Sequence, residues 1–129
     1  MMDLPAEDHA ALRDEGLAYE VFEDSGMLCV QLTDFPLPDG LNATQADILL
    51  RLHPLYPDVP PDMWWASPAL NTATGGTIPA TEVHETHRGR SWQRWSRHLP
   101  SSAWQAGTDS LKSYIALLRT ELATAGAAT

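Results

Sequence analysis

Apolar residues alternate with polar ones along the first half of the chain, at the spacing of two that is typical of half-buried strands. In the clearest example, Leu28, Val30 and Leu32 share one face of an extended segment. Turn residues and prolines divide this half into segments. The pattern predicts four strands, at residues 18–23, 27–32, 46–52 and 63–66.

The spacing changes to that of a helix near the end of the chain. Apolar residues recur there at i, i+3, i+4, i+7 and i+11, which predicts one buried helical stripe. The stripe consists of Leu111, Tyr114, Ile115, Leu118 and Leu122. Thr108 or Asp109 is the expected cap. Residues 5–15 predict a shorter helix that ends near Gly16.

Between the fourth predicted strand and the last helix, residues 67–91 carry little periodicity and predict a long loop. Loops of this length in a small domain are usually functional or mobile. The order is a helix, a four-stranded antiparallel meander, a long loop and a packing helix. This order predicts one α+β domain over residues 1–129, with its core at about 5–123.

Composition excludes several classes of function. The formal net charge is −9, whereas a general nucleic-acid binder presents a basic surface. The single cysteine cannot form an internal disulfide. The N-terminus lacks the pattern of a signal peptide, and no apolar run approaches membrane-spanning length. We therefore expect a cytoplasmic protein without nucleic-acid or membrane partners.

Positive charge is concentrated in one stretch. Arg88, Arg90, Arg94 and Arg97 make up four of the eight lysines and arginines. Two interpretations remain open: a basic surface for an acidic partner, or a polar segment whose arginine stems lie on tryptophan rings.

Three motifs then occur in a characteristic order. Tyr-Pro-Asp-Val-Pro-Pro occupies residues 56–61, Trp-Gln-Arg-Trp-Ser-Arg-His occupies 92–98, and Trp104 precedes the last helix. This order resembles the ubiquitin-conjugating enzymes, with prokaryotic family E as the nearest match, over roughly residues 5 to 123. In that family, the nucleophile at the position of Ser96 is a cysteine. The resemblance also implies a cis proline in the proline-rich turn.

The resemblance implies a chemistry for the second motif. A conjugating enzyme carries the C-terminal acyl group of a ubiquitin-like protein, so Ser96 would carry an oxyester in place of a thioester. A serine hydroxyl needs a base, and His98 or His87 is the expected one. We expect Arg94, Arg97, Trp95 and Trp92 to bind the substrate. The family's His-Pro-Asn stretch is missing here, so Arg94, Arg97 or backbone N–H groups are candidates to stabilise the oxyanion.

The resemblance further implies the partners: a ubiquitin-like modifier, an activating enzyme and a target protein, with no cofactor. Related bacterial pathways act in phage defence. An alternative from a different class is a pseudoenzyme that only binds ubiquitin-like proteins, since such a module could also have serine at this position. The cluster of Trp, Arg and His around Ser96 favours the enzyme, because a pure binding module would not require it.

Two rival sites are weaker. Cys29 is the only thiol, but it lies mid-strand between Leu28 and Val30 and is expected to be buried. The segment His-Glu-Thr-His at 84–87 lacks the two-residue gap of the His-Glu-x-x-His zinc motif. A metal-dependent hydrolase built on Glu82, this segment and His98 stays a minor alternative, and we expect no metal.

The strand position of Cys29 generates a first prediction. Cys29→Ala should leave acyl transfer intact at a modest cost in stability, because a buried thiol is not presented to a substrate. Intact mass of the hydroxylamine-sensitive adduct, alongside thermal melting, measures both effects. Loss of the adduct from a folded Cys29→Ala variant would contradict the assignment of the nucleophile to Ser96.

Overall fold

The computed structural model describes residues 3–99 and 103–127 of the chain. These residues form one helix, then six strands and then a second helix, which is an order of an α+β domain. The elements are α1 (Ala6–Asp14), β1 (Ala18–Asp24), β2 (Met27–Pro36), β3 (Gln45–Leu52), β4 (Trp64–Ser67), β5 (His84–His87), β6 (Arg90–Trp95) and α2 (Leu111–Ala127).

All six strands belong to one antiparallel sheet with the order β1-β2-β3-β4-β6-β5. The first four form the predicted meander, but the prediction of only four strands was wrong. The expected loop at 67–91 contains β5 and the start of β6, which form a hairpin at the edge of the sheet. Arg88 and Gly89 connect them, with φ angles of 53° and 73°, as a two-residue hairpin turn requires.

The hydrophobic pattern missed this hairpin for a physical reason. β5 reads His-Glu-Thr-His and has no apolar residue, so it lacks the alternation that marks a strand. Its backbone pairs with β6 from His84–Gln93 to His87–Arg90. The strand is therefore specified by the turn and by its partner, not by burial of its own side chains.

The two helices pack on one face of the sheet. Leu12 of α1 and Ile115 and Leu118 of α2 join a single core with Val30 and Leu50. All five residues of the predicted stripe on the last helix are buried, which confirms that prediction. None of the helices within the described ranges is both long and apolar enough to cross a bilayer.

The opposite face of the sheet carries a second, smaller cluster. Cys29, Leu49, Trp65 and Trp92 are all at most 5% exposed there. The β5–β6 turn lies against β1, where the Arg88 guanidinium is 3.9 Å from the centre of the Phe22 ring and 3.2 Å from Glu20. The sheet is therefore coiled enough for a side chain of the β5–β6 turn to reach β1 across this cluster.

A β-bulge sets the register of β2. Leu32 pairs with Ile48 while Phe35 pairs with Ala46, so β2 has one residue more than β3 in this stretch. Asp34 adopts φ 52°, and its backbone N–H donates to the Asp47 carboxylate over 2.9 Å. The extra residue turns Phe35 onto the helix face, where it is fully buried.

Asp8 connects three segments that are distant in sequence. Its side chain is 1% exposed and accepts hydrogen bonds from the Tyr56 hydroxyl at 2.7 Å and from the Leu111 N–H at 3.1 Å. The carboxylate therefore lies at the N-terminus of α2, where the helix dipole favours negative charge. The cap was expected at Thr108 or Asp109, but α2 begins at Leu111 and Asp8 supplies the acceptor from outside the helix.

The proline-rich turn packs beside this contact. Its Tyr56–Pro57 peptide bond is cis, as the resemblance implied. Trp104 donates its indole N–H to the Pro57 carbonyl over 2.9 Å and lies 6.2 Å from the Tyr56 ring. Two of the motifs on which the resemblance rests are therefore in direct contact.

The C-terminal end of α2 approaches the β2–β3 connection very closely. A Cβ added at Gly126 would lie 2.5 Å from the Asp39 carbonyl oxygen, and one at Gly40 would clash with the Gly126 carbonyl oxygen. Gly40 also has φ 97°. Only glycine allows the two backbones to approach this closely.

The Asp8 contacts predict a large effect on stability. Asp8→Ala should lower the free energy of unfolding by about 3 kcal/mol, because two buried donors lose their acceptor. Urea unfolding measures the change. Asp14→Ala, an exposed position on the same helix, is the matched control and should change stability by at most about 0.5 kcal/mol. Equal effects of the two substitutions would contradict the role given to Asp8.

Candidate functional site

Ser96 directly follows β6, at the point where the central part of the sheet ends. Its side chain is half-buried, and its backbone N–H donates to the Ala80 carbonyl over 3.0 Å. The Oγ atom accepts a hydrogen bond from Nε of Arg94 at 3.3 Å. Since residues two apart on a strand face the same side, β6 presents Arg94 beside Ser96.

Glu85 of β5 holds the other side of this arginine. Arg94 Nη1 donates to Glu85 Oε2 over 3.0 Å. Trp65 Nε1 lies 3.0 Å from Oε1 of the same carboxylate, and His87 Nε2 lies at the same distance from it. Burial alone would raise the pKa of Glu85, but the hydrogen bonds from His87, Trp65 and Arg94 outweigh it and hold the pKa below its ordinary value. The carboxylate is therefore ionised at neutral pH.

His98 lies two residues after Ser96 and is oriented by a second carboxylate. Its Nδ1 is 2.8 Å from Asp62 Oδ1, and its side chain is 65% exposed. A carboxylate on one ring nitrogen leaves the other, Nε2, as the proton acceptor. Sequence reasoning missed both Asp62 and Glu85. The position of Asp62 immediately after the proline-rich turn is the one signal that could have pointed to it.

His87 is linked to Ser96 only indirectly. It pairs with Arg90 at the turn end of the hairpin, and its ring shares the Glu85 carboxylate with Arg94. Its ring bonds Glu85 and lies 4.0 Å from Asp24. The fold therefore brings Ser96 into contact with Arg94 and pairs His98 with Asp62, while within the described residues neither His87 nor His98 contacts the Ser96 side chain.

Two strained residues support the backbone of this segment. Met63 and Ala80 adopt φ angles of 59° and 58°, which are uncommon for residues with a side chain. The Met63 N–H donates to the Arg97 carbonyl, and the Ala80 carbonyl accepts from the Ser96 N–H, both over 3.0 Å. Strained conformations often cluster at functional sites, which favours a functional interpretation of residues 96–97.

The tryptophans of the second motif are core residues. Trp95 is fully buried and Trp92 is 2% exposed, on opposite faces of the sheet. Trp95 stacks on Trp64, with 4.2 Å between ring centres. Neither ring is accessible, so both pack in the core beneath this segment.

The basic stretch is neutralised within the domain. Each of its four arginines lies within 4.0 Å of a carboxylate: Arg88 of Glu20, Arg90 of Asp47, Arg94 of Glu85 and Arg97 of Glu121. Arg90 and Arg97 also lie over tryptophan rings, at 4.7 and 4.9 Å from the ring centres. Of the two open interpretations, the structure favours the polar segment packed on aromatic rings over a free basic surface.

The two rival sites are Cys29 and the His-Glu-Thr-His segment of β5. Cys29 is fully buried, as predicted, and burial raises the pKa of its thiol, which disfavours the reactive thiolate. His84 and His87 lie three residues apart on β5 and so face opposite sides of the sheet. Across residues 3–99 and 103–127 there is no group of three His, Cys, Asp or Glu side chains placed to hold a metal ion.

A cleft of about 490 Å³ lies beside the segment that bonds Ser96. Its walls come from the β4–β5 connection, from the start of β5 and from Gln93 of β6. Ile78, Pro79, Thr81, Glu82 and His84 contribute to the lining. The lining includes both chain neighbours of Ala80, Pro79 and Thr81, but neither Ala80 nor Ser96.

These features define a class of protein. An antiparallel sheet on two helices, a proline-rich turn after β3, and a hydroxyl between the last strand and the last helix are compatible with a ubiquitin-conjugating-like domain. A family model described as prokaryotic E2 family E matches residues 4–125. The chain therefore belongs to this prokaryotic E2-like family. No curated protein and no solved structure matches it.

Membership of the family links the domain to prokaryotic ubiquitin-like conjugation. It implies, in general terms, interaction with a ubiquitin-like modifier and an activating enzyme. The resemblance found from the sequence motifs is confirmed at this level.

The Glu85 contacts predict a pH dependence. A depressed carboxyl pKa contributes stability that is fully present above the ordinary pKa of 4.5 and is lost as the pH falls through the lower folded-state value. Urea midpoints should therefore differ most between wild type and Glu85→Gln near neutral pH, and converge as the medium becomes acidic. Glu82→Gln, an exposed carboxylate in the preceding segment, should change little throughout. A difference for Glu85→Gln that widens in acid would refute the prediction.

Proposed function

We propose that this domain is an acyl carrier that accepts the C-terminus of a ubiquitin-like modifier on Ser96 as an oxyester and passes it to a target. The observation that carries the proposal is the grouping at the end of β6. The Ser96 hydroxyl bonds a guanidinium, and a carboxylate-oriented imidazole lies two residues away. Family membership supplies the reaction class.

The loading step follows ordinary acyl transfer. The modifier arrives as a thioester of the activating enzyme, and Ser96 Oγ attacks its carbonyl carbon. The C–Oγ bond forms while the hydroxyl proton passes to Nε2 of His98. The tetrahedral intermediate then collapses, the C–S bond breaks, and the departing thiolate takes the proton from His98. A nucleophile on the target later repeats the exchange and releases the Ser96 hydroxyl.

His98 is a better base for this step than His87. Asp62 holds Nδ1 of His98, which directs Nε2 outward and stabilises the imidazolium that forms. His87 instead uses Nε2 to bond Glu85, so this nitrogen is already engaged. His98 follows Ser96 by two residues, and the proposal requires substrate binding to bring its ring within reach of the hydroxyl.

One observation favours the pseudoenzyme alternative. Within the described residues, the hydrogen-bond partner of Ser96 Oγ is Arg94 and not an imidazole. A serine fixed in this way could serve a module that binds the modifier without forming an ester. Binding of the modifier without adduct formation would identify this second function.

The type of bond between Ser96 and the modifier tests the proposed acyl-carrier function. Incubation with the cognate activating enzyme, ATP and modifier should add the mass of the modifier less one water. The adduct should survive thiol reductants and break in mild alkali, because an alkoxide is a poorer leaving group than a thiolate. Ser96→Ala should abolish it. Ser96→Cys should restore an adduct that reductants cleave, since thiolate forms more readily.

Two controls sharpen this experiment. Ser91→Ala changes an exposed serine on the same strand and should load like wild type. His98→Asn should slow loading by about 100-fold or more, as expected for loss of a general base. A wild-type protein that binds the modifier yet forms no adduct would favour the pseudoenzyme over the carrier.

A further inference from the structure

We infer that the guanidinium of Arg94 stabilises the oxyanion of the acyl-transfer step and that Glu85 is its positioning residue. This inference rests on the proposed Ser96 chemistry and deepens it by assigning the group that replaces the missing asparagine. Three separate observations support it. They are the hydrogen bonds of Arg94, those already made by two nearby backbone amides, and those of the Glu85 carboxylate.

The three guanidinium nitrogens have different roles. Nε donates to Ser96 Oγ over 3.3 Å, and Nη1 donates to Glu85 over 3.0 Å. Nη2 makes no hydrogen bond to the part of the chain that the structure describes. Nε and Nη2 share one edge of the planar group and can donate in parallel to two neighbouring oxygens.

The tetrahedral intermediate presents two such oxygens. As Oγ bonds the carbonyl carbon, the carbonyl electron pair moves onto oxygen, and the oxyanion and Oγ become neighbours on one carbon. Nε remains at Oγ while Nη2 meets the oxyanion. The arginine transfers no proton in this step, and collapse of the intermediate returns the electron pair to the carbonyl as the C–S bond breaks.

Two backbone amides, a usual class of oxyanion donor, are already engaged beside Ser96. The N–H of Ser96 donates to Ala80, and the N–H of Arg97 donates to the Trp95 carbonyl, each over 3.0 Å. The Arg97 side chain is directed elsewhere: Nη1 donates to the Pro79 carbonyl over 3.0 Å. Arg94 is the side-chain donor that bonds the nucleophile.

Glu85 sets the orientation of the Arg94 guanidinium and therefore of its two parallel donors, Nε and Nη2. Its carboxylate is fixed by Trp65 and His87 at Oε1, so Oε2 anchors Nη1 of Arg94 from a rigid base. The backbone N–H of Arg94 donates to the Val83 carbonyl over 2.8 Å. Its side chain is 29% exposed, and this partial exclusion of water strengthens its field at the oxyanion.

The first experiment is single-turnover loading of Ser96 from the modifier thioester of the activating enzyme. Arg94→Lys keeps the positive charge but removes the paired Nε and Nη2 donors, and should slow loading by about 100- to 1,000-fold. Binding of free modifier, measured by fluorescence anisotropy, should change by less than about threefold because these donors act on the transition state. Arg90→Lys, on the same strand and paired with Asp47, should load at the wild-type rate.

The second experiment tests Glu85 by a double-mutant cycle. Glu85→Gln should slow loading in the wild-type background and have no further effect in Arg94→Lys, because it acts through that arginine. Independent, additive effects would refute the positioning role. Circular dichroism and thermal melting establish that each variant is folded, and Glu85→Gln alone still tests the inference if Arg94→Lys does not fold.

The outcomes separate the two proposals. Wild-type loading with an unimpaired, folded Arg94→Lys overturns the oxyanion assignment and leaves the acyl carrier standing. Absence of any Ser96 adduct in the wild type overturns both.

Discussion

The buried carboxylate of Asp8 holds the main parts of this domain in their relative positions. It accepts hydrogen bonds from the proline-rich turn through Tyr56 and from the first residue of α2 through Leu111, while belonging to α1. A buried anion needs such donors, because an unpaired one would be strongly destabilising. Burial, together with the hydrogen bond to Asp8, raises the pKa of Tyr56 and keeps its hydroxyl protonated as a donor. The placement of α2, and of Trp104 beside Tyr56, depends on this contact.

The sheet in turn holds the strand that leads to Ser96 in a fixed position. β6 lies between β4 and the edge strand β5, so it is anchored on one side by the core and on the other by the hairpin. Trp95 fills the helix-side core and Trp92 fills the opposite cluster. The strand that leads to Ser96 is therefore fixed on both faces. Arg94 and Glu85 then form a polar network on a rigid support, which is the arrangement that precise positioning requires.

Internal pairing of charge distinguishes this domain from a basic interaction surface. The four arginines of the basic stretch each face a carboxylate, and the acidic residues come from β1, β3, β5 and α2. Such surface pairs contribute little to stability individually. Here the pairs fix the orientation of the guanidinium groups on the surface of the sheet. Arg94 is the one that bonds the candidate nucleophile Ser96.

The sequence by itself determined the elements that bury apolar side chains. The stripe from Leu111 to Leu122 and the alternation around Val30 identify α2 and β2 because burial imposes a period on the residues. The spacing from the proline-rich turn to Ser96 and Trp104 identified the family. Tertiary structure alone decided the rest: the β5–β6 hairpin, the bulge at Asp34, the cap supplied by Asp8, and the contacts of Asp62 and Glu85 with the site. These features join polar residues across long sequence separations, where no periodicity exists to reveal them. A hydrogen bond between distant residues leaves no local pattern, so only the folded chain shows which carboxylate meets which cation.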